Sequence, residues 1–284
     1  MRYTGLIISF LFLAAQLSAQ DTIKIATWNV FLRPAILADA QMDRVEHISS
    51  AILTKDADII CLQELFHMKS RTKLMDDLKT TYPHYVSPGR SGLKQCSGLM
   101  LFSKYPVLFD TICYFKHKSG IDAIARKGVQ LARIKLEYEE IVVINTHLQA
   151  GNKIKKQQVR NQQYQKFAEC CDDFREQNYW MAGDFNTCDD STEFELLKNA
   201  VLGKEGHLSD SKEKYTSNFR DNDLCPTDAG KAKRIDFIFS KNGSDWDRIT
   251  QMIDRPIADW RPKGGNFLSD HAWVESVFVR SKVK

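Results

Sequence analysis

Short apolar segments alternate along this chain with longer segments whose apolar residues recur at helical spacing. The predicted strands are Ile23–Val30, Asp58–Leu62, Gly98–Ser103, Val129–Leu136, Ile141–Thr146, Tyr179–Ala182, Arg234–Phe239 and Ala272–Val279. The predicted helices are Met42–Leu53, Arg71–Thr80, Ile154–Arg175 and Thr192–Ala200. Asp39 and Asp190 are candidate N-caps for two of them. No repeat, low-complexity tract or long linker interrupts the pattern, which predicts one domain with layered α/β packing.

The first twenty residues have the features of a secretory leader. Arg2 supplies a positive charge, and Leu6 to Ala15 form an apolar core. The segment Leu17 to Ala19 ends in alanine, a small residue that a signal peptidase accepts. The apolar run is too short to span a bilayer, although a membrane anchor is the alternative interpretation. We therefore predict a signal peptide at residues 1–20, a single catalytic domain at residues 21–284, and an exported protein that is periplasmic or secreted.

Charge and cysteine content limit the class of protein. The net charge of +4 is mild, whereas a dedicated nucleic-acid-binding domain is usually strongly basic. Seven cysteines leave at least one without an intramolecular partner, and no Cys/His spacing suggests structural zinc. Cys188 and Cys225 lie in predicted loops beside candidate site residues and form one candidate disulfide, although sequence alone does not fix the pairing.

Several predicted strands end in polar or ionisable residues. These residues are Asn29, Glu64, His147, Asp184 with Asn186, Asp236, and Asp270 with His271. Each one alone could shape a turn or cap a helix. Asp236 fits that explanation poorly, because an unpaired carboxylate inside an apolar strand is costly to bury, and it therefore needs a partner such as a histidine. The recurrence of such residues at strand ends indicates a functional site.

The residue types at these positions favour phosphate ester hydrolysis. Glu64, Asp270 and Asn29 offer hard oxygen ligands that suit Mg²⁺, or Mn²⁺, better than zinc. Asp184 and Asn186 are two residues apart, so in an extended chain they face the same side. Two histidines remain for proton transfer, and no Ser-His-Asp order indicates a covalent route. The set suits metal-assisted attack of water on a phosphate ester.

The motifs resemble those of the endonuclease/exonuclease/phosphatase superfamily, in the same order, from Ile23 to about Phe278. The matching segments are TWNV at 27–30, LQE at 62–64, NTHL at 145–148, GDFN at 183–186, RIDFI at 234–238 and SDH at 269–271. This resemblance implies a four-layer α/β sandwich, in which two mainly antiparallel sheets pack together with helices outside. It also implies that the site lies at the strand ends.

The resemblance further implies a set of metal and phosphate ligands. Glu64 would be the principal Mg²⁺ ligand, and Asn29 and Asp270 would assist it directly or through water. Asp184 and Asn186 would position the phosphate and the attacking water.

The two histidines would share the acid–base chemistry. By the same resemblance, His271 would be the general base that activates water, and Asp236 would hold it in orientation. His147 would stabilise the charge on phosphorus and help the leaving oxygen. This assignment would give Asp236 the partner that its burial requires.

Three further segments are similar to neutral and bacterial sphingomyelinases: HLQA at 147–150, SGLMLFSKYP at 97–106 and RKGV at 126–129. They imply a sphingolipid substrate at a membrane surface, cleaved to ceramide and a phosphorylated headgroup. Nucleic acid is a less favoured partner, and the preferred headgroup stays open. The alternatives are an exported nuclease or phosphomonoesterase on the same scaffold, and a non-catalytic binding protein.

A lipid substrate predicts peripheral membrane contact through exposed apolar residues beside the site. One candidate lip lies between Ile238 and Asp270, and FLRP at 31–34 is a second. The first lip contains Trp246, Ile253, Ile257, Trp260 and Phe267, near Arg255, Arg261 and Lys263. The alternative is a hairpin packed on the sandwich, with Trp246 and Trp260 in the core.

Overall fold

The computed structural model describes residues 22–37, 39–89, 95–205, 211, 213–225, 230–241, 244–261 and 266–281. The predicted signal peptide at residues 1–20 lies outside these residues. The strands are β1 (Thr22–Leu32), β2 (Ile59–Leu65), β3 (His84–Val86), β4 (Met100–Ser103), β5 (Val107–Tyr114), β6 (Gly128–Lys135), β7 (Glu140–His147), β8 (Tyr179–Asp184), β9 (Gly203–Glu205), β10 (Asp236–Lys241), β11 (Trp246–Asp254) and β12 (Trp273–Arg280). The helices are α1 (Gln41–Lys55), α2 (Met68–Leu78), α3 (Ile154–Cys171) and α4 (Glu193–Val201).

The strands form two six-stranded sheets. The first has the order β11-β12-β1-β2-β4-β3, and the second has the order β5-β6-β7-β8-β10-β9. Strands β1 and β2 are parallel in the first sheet, as are β7 and β8 in the second, and the other neighbours are antiparallel. The prediction of two mainly antiparallel sheets is therefore confirmed.

Three apolar layers hold four layers of secondary structure together. Between the sheets, side chains such as Ile25 of β1 and Val143 of β7 are fully buried. Helices α1 and α2 bury Ile48 and Leu74 on the outer face of the first sheet. Helices α3 and α4 cover the second sheet in the same way through residues that include Phe167. Central strands buried on both faces read as continuous apolar runs, which explains why they were visible in the sequence.

A hydrogen-bonded group of polar side chains crosses the apolar layer between the sheets. Gln63 of the first sheet donates to Thr27 Oγ1 at 2.9 Å and to Asn145 Oδ1 of the second sheet at 2.8 Å. Asn145 in turn donates to Gln130 Oε1 at 3.2 Å and to the carbonyl of Leu62 at 3.0 Å. All of these side chains are buried, so each hydrogen bond forms away from water and is costly to leave unmade.

Strands β3, β5, β9 and β11 were not predicted. Strands β3 and β9 have three residues each, which gives too short a pattern to detect. Strand β5 lies at a sheet edge, where its exposed residues do not alternate with buried ones.

Both predicted helix caps are wrong. Helix α1 begins after Ala40, which adopts a left-handed conformation, and the carboxylate of Asp39 accepts a hydrogen bond from Arg33 Nε at 2.8 Å instead. Helix α4 begins at Glu193 with Thr192 at its N-cap, so Asp190 lies outside the capping position. The third predicted helix is also too long, because α3 ends at Cys171.

The predicted membrane lips are largely interior. Trp246 opens β11 and packs edge-to-face on Trp180, with ring centroids 5.7 Å apart. The Trp260 indole is buried and donates to the carbonyl of Phe267 at 3.0 Å. Phe31 of the second candidate lip is buried as well. The alternative interpretation, a segment packed on the sandwich, is therefore the correct one for these aromatic residues, and Lys263 lies outside the described residues.

The candidate disulfide between Cys188 and Cys225 is wrong. Cys113 of β5 forms a disulfide with Cys170 of α3 instead, and the two Cα atoms are 6.2 Å apart. Cys188 and Cys225 are free thiols, and the Cys225 thiol faces the carbonyl of Asp270 at 3.6 Å. In the described part of the chain, no helix combines the length and apolar character required to cross a bilayer.

Candidate active site

Strand register gathers the predicted site residues at one end of the sandwich. Strand β8 lies between β7 and β10, and Asp184 is aligned with both His147 and Asp236. In the first sheet, Asn29 is aligned with Gln63, next to Glu64. The first sheet therefore supplies one flank of the site and the second sheet supplies the other.

The flank from the first sheet is rich in oxygen donors. The amide of Asn29 donates to Glu64 Oε1 at 3.2 Å and to Asp184 Oδ2 at 3.1 Å. Burial raises the pKa of Asp270 to about 7; the positive charge of His271 opposes this shift, and the negative charge of Glu64 adds to it. Two carboxylates beside an amide form a donor set that fits Mg²⁺ or Mn²⁺.

Two of the site residues have left-handed backbone conformations without being glycine. Glu64 has a φ of 56° and Asn186 a φ of 49°. Each such residue costs about 1 kcal/mol, and this strain is typical of functional positions. The Glu64 side chain accepts from Asn29, and Asn186 Nδ2 donates to the carbonyl of Leu148 at 3.1 Å.

His271 and Asp236 form a buried hydrogen-bonded pair across the two sheets. His271 Nδ1 lies 2.8 Å from Asp236 Oδ2, so the partner required by the burial of Asp236 is His271. Burial lowers the pKa of His271, but the carboxylates of Asp236, Asp184 and Asp270 outweigh it and hold the pKa well above its usual value. The other ring nitrogen, Nε2, faces the site and lies 3.3 Å from Ser217 Oγ.

His147 has a different environment. Burial, and then the positive charges of Lys127 and His271, hold the pKa of His147 well below its usual value. Its Nε2 lies 3.0 Å from Lys127 Nζ and 3.4 Å from Asp184 Oδ2. Because an ammonium group can only donate, Nε2 accepts and the imidazole proton lies on Nδ1. The two histidines therefore differ in charge, as residues with different roles do.

Asp184 lies at the centre of the site. Burial and then the charge of Asp236 raise the pKa of Asp184 to about 7. Its Oδ1 accepts from the backbone N–H of Asn186 at 2.9 Å. Asp184, Asp236 and His271 have ligand atoms within 4.8 Å of one another, so they form a second candidate cation site. We favour the oxygen-only set as the metal site, because Asp236 already satisfies one nitrogen of His271.

Sequence reasoning missed two residues of the site. Lys127 was noted only as part of a motif, yet its ammonium is buried and reaches His147 from the turn before β6. Ser217 comes from an irregular segment and contacts His271. Neither follows a buried strand, which was the signal that identified the other site residues. The RKGV resemblance was the only hint of Lys127.

Gln149 supports the site from outside. Its side chain accepts from the N–H of Ser119 at 2.8 Å and donates to Asp122 Oδ2 at 2.5 Å. Asp122 pairs with Lys127 at 3.0 Å, so Gln149 fixes the loop that places Lys127 beside His147.

A cleft of about 1030 Å³ opens beside Asn186. Its walls combine polar, charged and aromatic side chains, among them Glu193, Tyr215, Phe219, Lys231 and Lys233. Such a lining suits a polar substituent of the substrate better than an alkyl chain.

Residues 26–271 match the Endonuclease/Exonuclease/phosphatase family. Sphingomyelinase C of Bacillus cereus is 28% identical over 153 residues, which make up 48% of this chain and 46% of that protein. The chain thus spans about half the length of that relative. Phospholipase C of Staphylococcus aureus is 24% identical over 278 residues, 88% of this chain and 82% of that protein.

The fold is also similar to solved structures. A mutant of the beta toxin of Staphylococcus aureus, crystallised with bound magnesium ions, superposes with a TM-score of 0.79 at 20% identity. The superposition covers 92% of this chain and all of that one. At this identity the likeness shows a common fold, and the predicted four-layer sandwich is confirmed.

Proposed function

Because the chain belongs to the Endonuclease/Exonuclease/phosphatase family, we propose that it is an exported, Mg²⁺-dependent phosphodiesterase that hydrolyses sphingomyelin or a related ceramide phospholipid. The observation that carries this proposal is the His271–Asp236 pair, which faces Asp184 opposite the oxygen donors Glu64 and Asn29. The names of the two relatives, a sphingomyelinase C and a phospholipase C, support the lipid substrate.

His271 is the proposed general base. Its Nε2 takes a proton from the attacking water, while Asp236 holds the ring and stabilises the imidazolium that forms. Asp184 and Asn186 position the phosphate and the water, with Asp184 held by the backbone N–H of Asn186. The geometry fits direct attack of water on phosphorus, with ceramide as the leaving group.

His147 is proposed to stabilise the negative charge on the phosphate. Its pKa is held low, so a neutral imidazole faces the site while the Lys127 ammonium beside it contributes positive charge. Together they offset the charge that develops on the phosphoryl oxygens.

Glu64 is the proposed principal Mg²⁺ ligand, with Asp270 and Asn29 assisting directly or through water. When bound, Mg²⁺ would supply Lewis-acid neutralisation of the phosphate charge and a bound water of lowered pKa. A structural neighbour that was crystallised with magnesium ions supports the identity of the metal.

Two features support export. The leader-like sequence at residues 1–20 precedes the domain proposed for residues 21–284. The Cys113–Cys170 disulfide is typical of proteins in oxidising compartments. Export predicts a mature protein whose N-terminus is Gln20 or Asp21, which N-terminal sequencing of the purified protein would test.

The proposed activity is tested by offering purified residues 21–284 three substrates in parallel: sphingomyelin micelles, plasmid DNA and an inositol polyphosphate. We expect phosphocholine release with Mg²⁺ and none with EDTA. We expect His271→Ala to lose at least about a hundredfold in rate, because it removes the general base. Lys135→Ala, an exposed change at the opposite end of β6, is the matched control.

Three outcomes would contradict the proposal. Phosphocholine release that survives EDTA would reject metal dependence, and release that survives His271→Ala would reject the assigned base. Cleavage of DNA or of the inositol polyphosphate without lipid turnover would favour the nuclease or phosphomonoesterase alternative.

A further inference from the structure

Three isoleucines are exposed on two loops that border the site. Ile121 and Ile124 lie before β6 in the segment 115–127, with 80% and 58% of their surface exposed. Ile154 lies at the start of α3 in the segment 150–156 and is 73% exposed. Exposed apolar residues that are rimmed by polar residues can mark an interaction site. We name the surface formed by segments 115–127 and 150–156 the basic-aliphatic patch.

The two loops of the basic-aliphatic patch are bonded to each other. Lys156 Nζ donates to the carbonyl of Ser119 at 2.8 Å. The N–H of Ala150 donates to Asp122 Oδ2 at 2.8 Å, and the side-chain oxygen of Gln149 accepts from the N–H of Ser119 in the same loop. The isoleucines therefore extend from one continuous, internally braced surface rather than from two independent loops.

The basic-aliphatic patch carries a strong excess of positive charge. Its cations are Lys116, Lys118, Arg126, Lys127, Lys153, Lys155 and Lys156. Its one carboxylate, Asp122, is already paired with Lys127. Of the remaining cations, Lys116, Lys153 and Lys155 are exposed.

Three of these lysines also lie at the start of α3, where the helix dipole opposes them. Lys153 is its N-cap, Lys155 and Lys156 lie in its first turn, and no acidic residue accompanies them. Cations at a helix N-terminus are opposed by the helix dipole, and each one costs a few tenths of a kcal/mol. An external layer of anionic groups would offset this cost by meeting both the lysines and the positive end of the helix.

The basic-aliphatic patch adjoins the reacting groups. Asp122 contacts Lys127, and Lys127 contacts His147, each at 3.0 Å. A planar partner seated on the basic-aliphatic patch would therefore lie against the rim of the site.

We propose that the basic-aliphatic patch docks the protein on an anionic lipid bilayer. Ile121, Ile124 and Ile154 enter the interface, while the lysines bind the phosphate or carboxylate groups of the lipids. A polynucleotide would satisfy the lysines, but its phosphate backbone offers nothing to three exposed isoleucines, so a bilayer fits both features. The benefit of docking rests on the proposed lipid hydrolysis, whereas the docking itself can be measured without it.

Vesicle binding tests the proposal. The full mature chain is sedimented with vesicles of phosphatidylcholine alone or with added phosphatidylserine. We expect binding that requires phosphatidylserine and falls by about fivefold for each lysine removed, so that Lys153→Gln with Lys155→Gln loses about 25-fold. Ile121→Ser with Ile154→Ser should weaken binding by at least tenfold.

The matched controls lie at the other end or at an edge of the sheets. Lys135→Gln with Lys204→Gln removes two exposed lysines at the end away from the site, and Ile249→Ser changes an exposed edge isoleucine of β11. We expect binding to stay within twofold of wild type for both controls. All variants should match the wild-type melting curve, which excludes unfolding as a cause.

Hydrolysis separates docking from chemistry. On a monomeric short-chain sphingomyelin the patch variants should retain wild-type rates, while on sphingomyelin vesicles that contain phosphatidylserine their rates should fall with binding. Binding that resists both the lysine and the isoleucine changes would overturn the proposal. Binding to duplex DNA that depends on the lysines but not on the isoleucines, without vesicle binding, would also overturn it. Vesicle binding by a wild-type protein that hydrolyses no lipid would support docking while rejecting the proposed function.

Discussion

Asp236 shows how one buried charge organises the site. Its side chain has no exposed surface, and Oδ2 bonds to His271, whereas Oδ1 has no hydrogen-bond partner in the described part of the chain. A carboxylate held in this way is stable only if its partner carries positive charge for part of the time. The same requirement raises the pKa of His271, so Asp236, which is proposed to orient this base, also sets the pH range in which His271 is neutral.

Replacing Asp236 should therefore change both the rate and its pH dependence. As the proposed base, His271 can take a proton only when it is neutral, so activity should be lost as pH falls through its raised pKa. Asp236→Asn removes the carboxylate, lowers that pKa and moves the acid limb of log(kcat/KM) to lower pH. The plateau rate should fall by about a hundredfold or more, because the new amide carries no charge to stabilise the imidazolium and can donate to Nδ1, which would leave the ring proton on Nε2.

The measurement is a pH–rate profile of the Asp236→Asn variant beside wild type. Asp110→Asn, an exposed change on β5, is the control and should leave the profile in place. An acid limb that stays at the wild-type pH in Asp236→Asn would assign that limb to another group.

At the scale of elements, helix α1 supports two loops of the site through one side chain. Arg44 is fully buried and donates to the carbonyls of Val30 at 3.2 Å, Phe31 at 2.5 Å and Leu268 at 2.6 Å. These carbonyls follow Asn29 and precede Asp270. The helix thereby joins the end of β1 to the approach of β12.

Arg44→Met should destabilise the fold and loosen the metal site. It leaves buried carbonyls without donors, so the free energy of unfolding should fall by about 3 kcal/mol or more in urea denaturation. The Mg²⁺ concentration for half-maximal activity should rise, because Asn29 and Asp270 lose their support. Arg44→Lys should recover only part of both effects, since one ammonium reaches fewer carbonyls than a guanidinium.

Arg175→Met is the control, because Arg175 forms an exposed ion pair with Asp172 three residues earlier. It should change the free energy of unfolding by less than about 0.5 kcal/mol. Equal Mg²⁺ requirements in wild type and Arg44→Met would show that the loops hold their positions without α1.

Elements differ in how far their sequence could reveal them. Strands β1, β2, β7 and β8 were predicted because both of their faces are buried, and their polar ends stood out against an apolar run. Lys127 and Ser217 reach the same site from turns and irregular chain, where no local pattern marks them. The position of Trp246 was ambiguous, because an aromatic residue near basic residues in the sequence is found both at surfaces and in cores. Its position is decided by contacts distant in sequence.

Pairing of the cysteines was beyond prediction for a related reason. The distance between Cys113 and Cys170 depends on how α3 lies over the second sheet, which no local pattern encodes. Their bond closes a loop of 57 residues and fastens an edge strand to a helix.

At the scale of the whole molecule, this disulfide should contribute to stability. Closing a loop of that length restricts the unfolded chain by about 4 kcal/mol in the chain-entropy model. Cys113→Ser with Cys170→Ser should therefore melt at a lower temperature than wild type, and reductant should lower the wild-type melting temperature but not that of the variant. Cys188→Ser, which changes a free thiol, should melt like wild type. Identical melting of the double variant and wild type would contradict the prediction.

The polar group between the sheets has a consequence for the whole sandwich. The apolar faces of the two sheets are close-packed, and the hydrogen bonds of Asn145 with Gln63 and with the carbonyl of Leu62 cross between the sheets and form in only one alignment. The proposed metal ligands Glu64 and Asn29 belong to one sheet, and Asp184, Asp236 and His147 belong to the other. Gln63 and Asn145 thus set the spacing between the two flanks of the proposed site, and the distances across that site are as fixed as the stacking of the sheets.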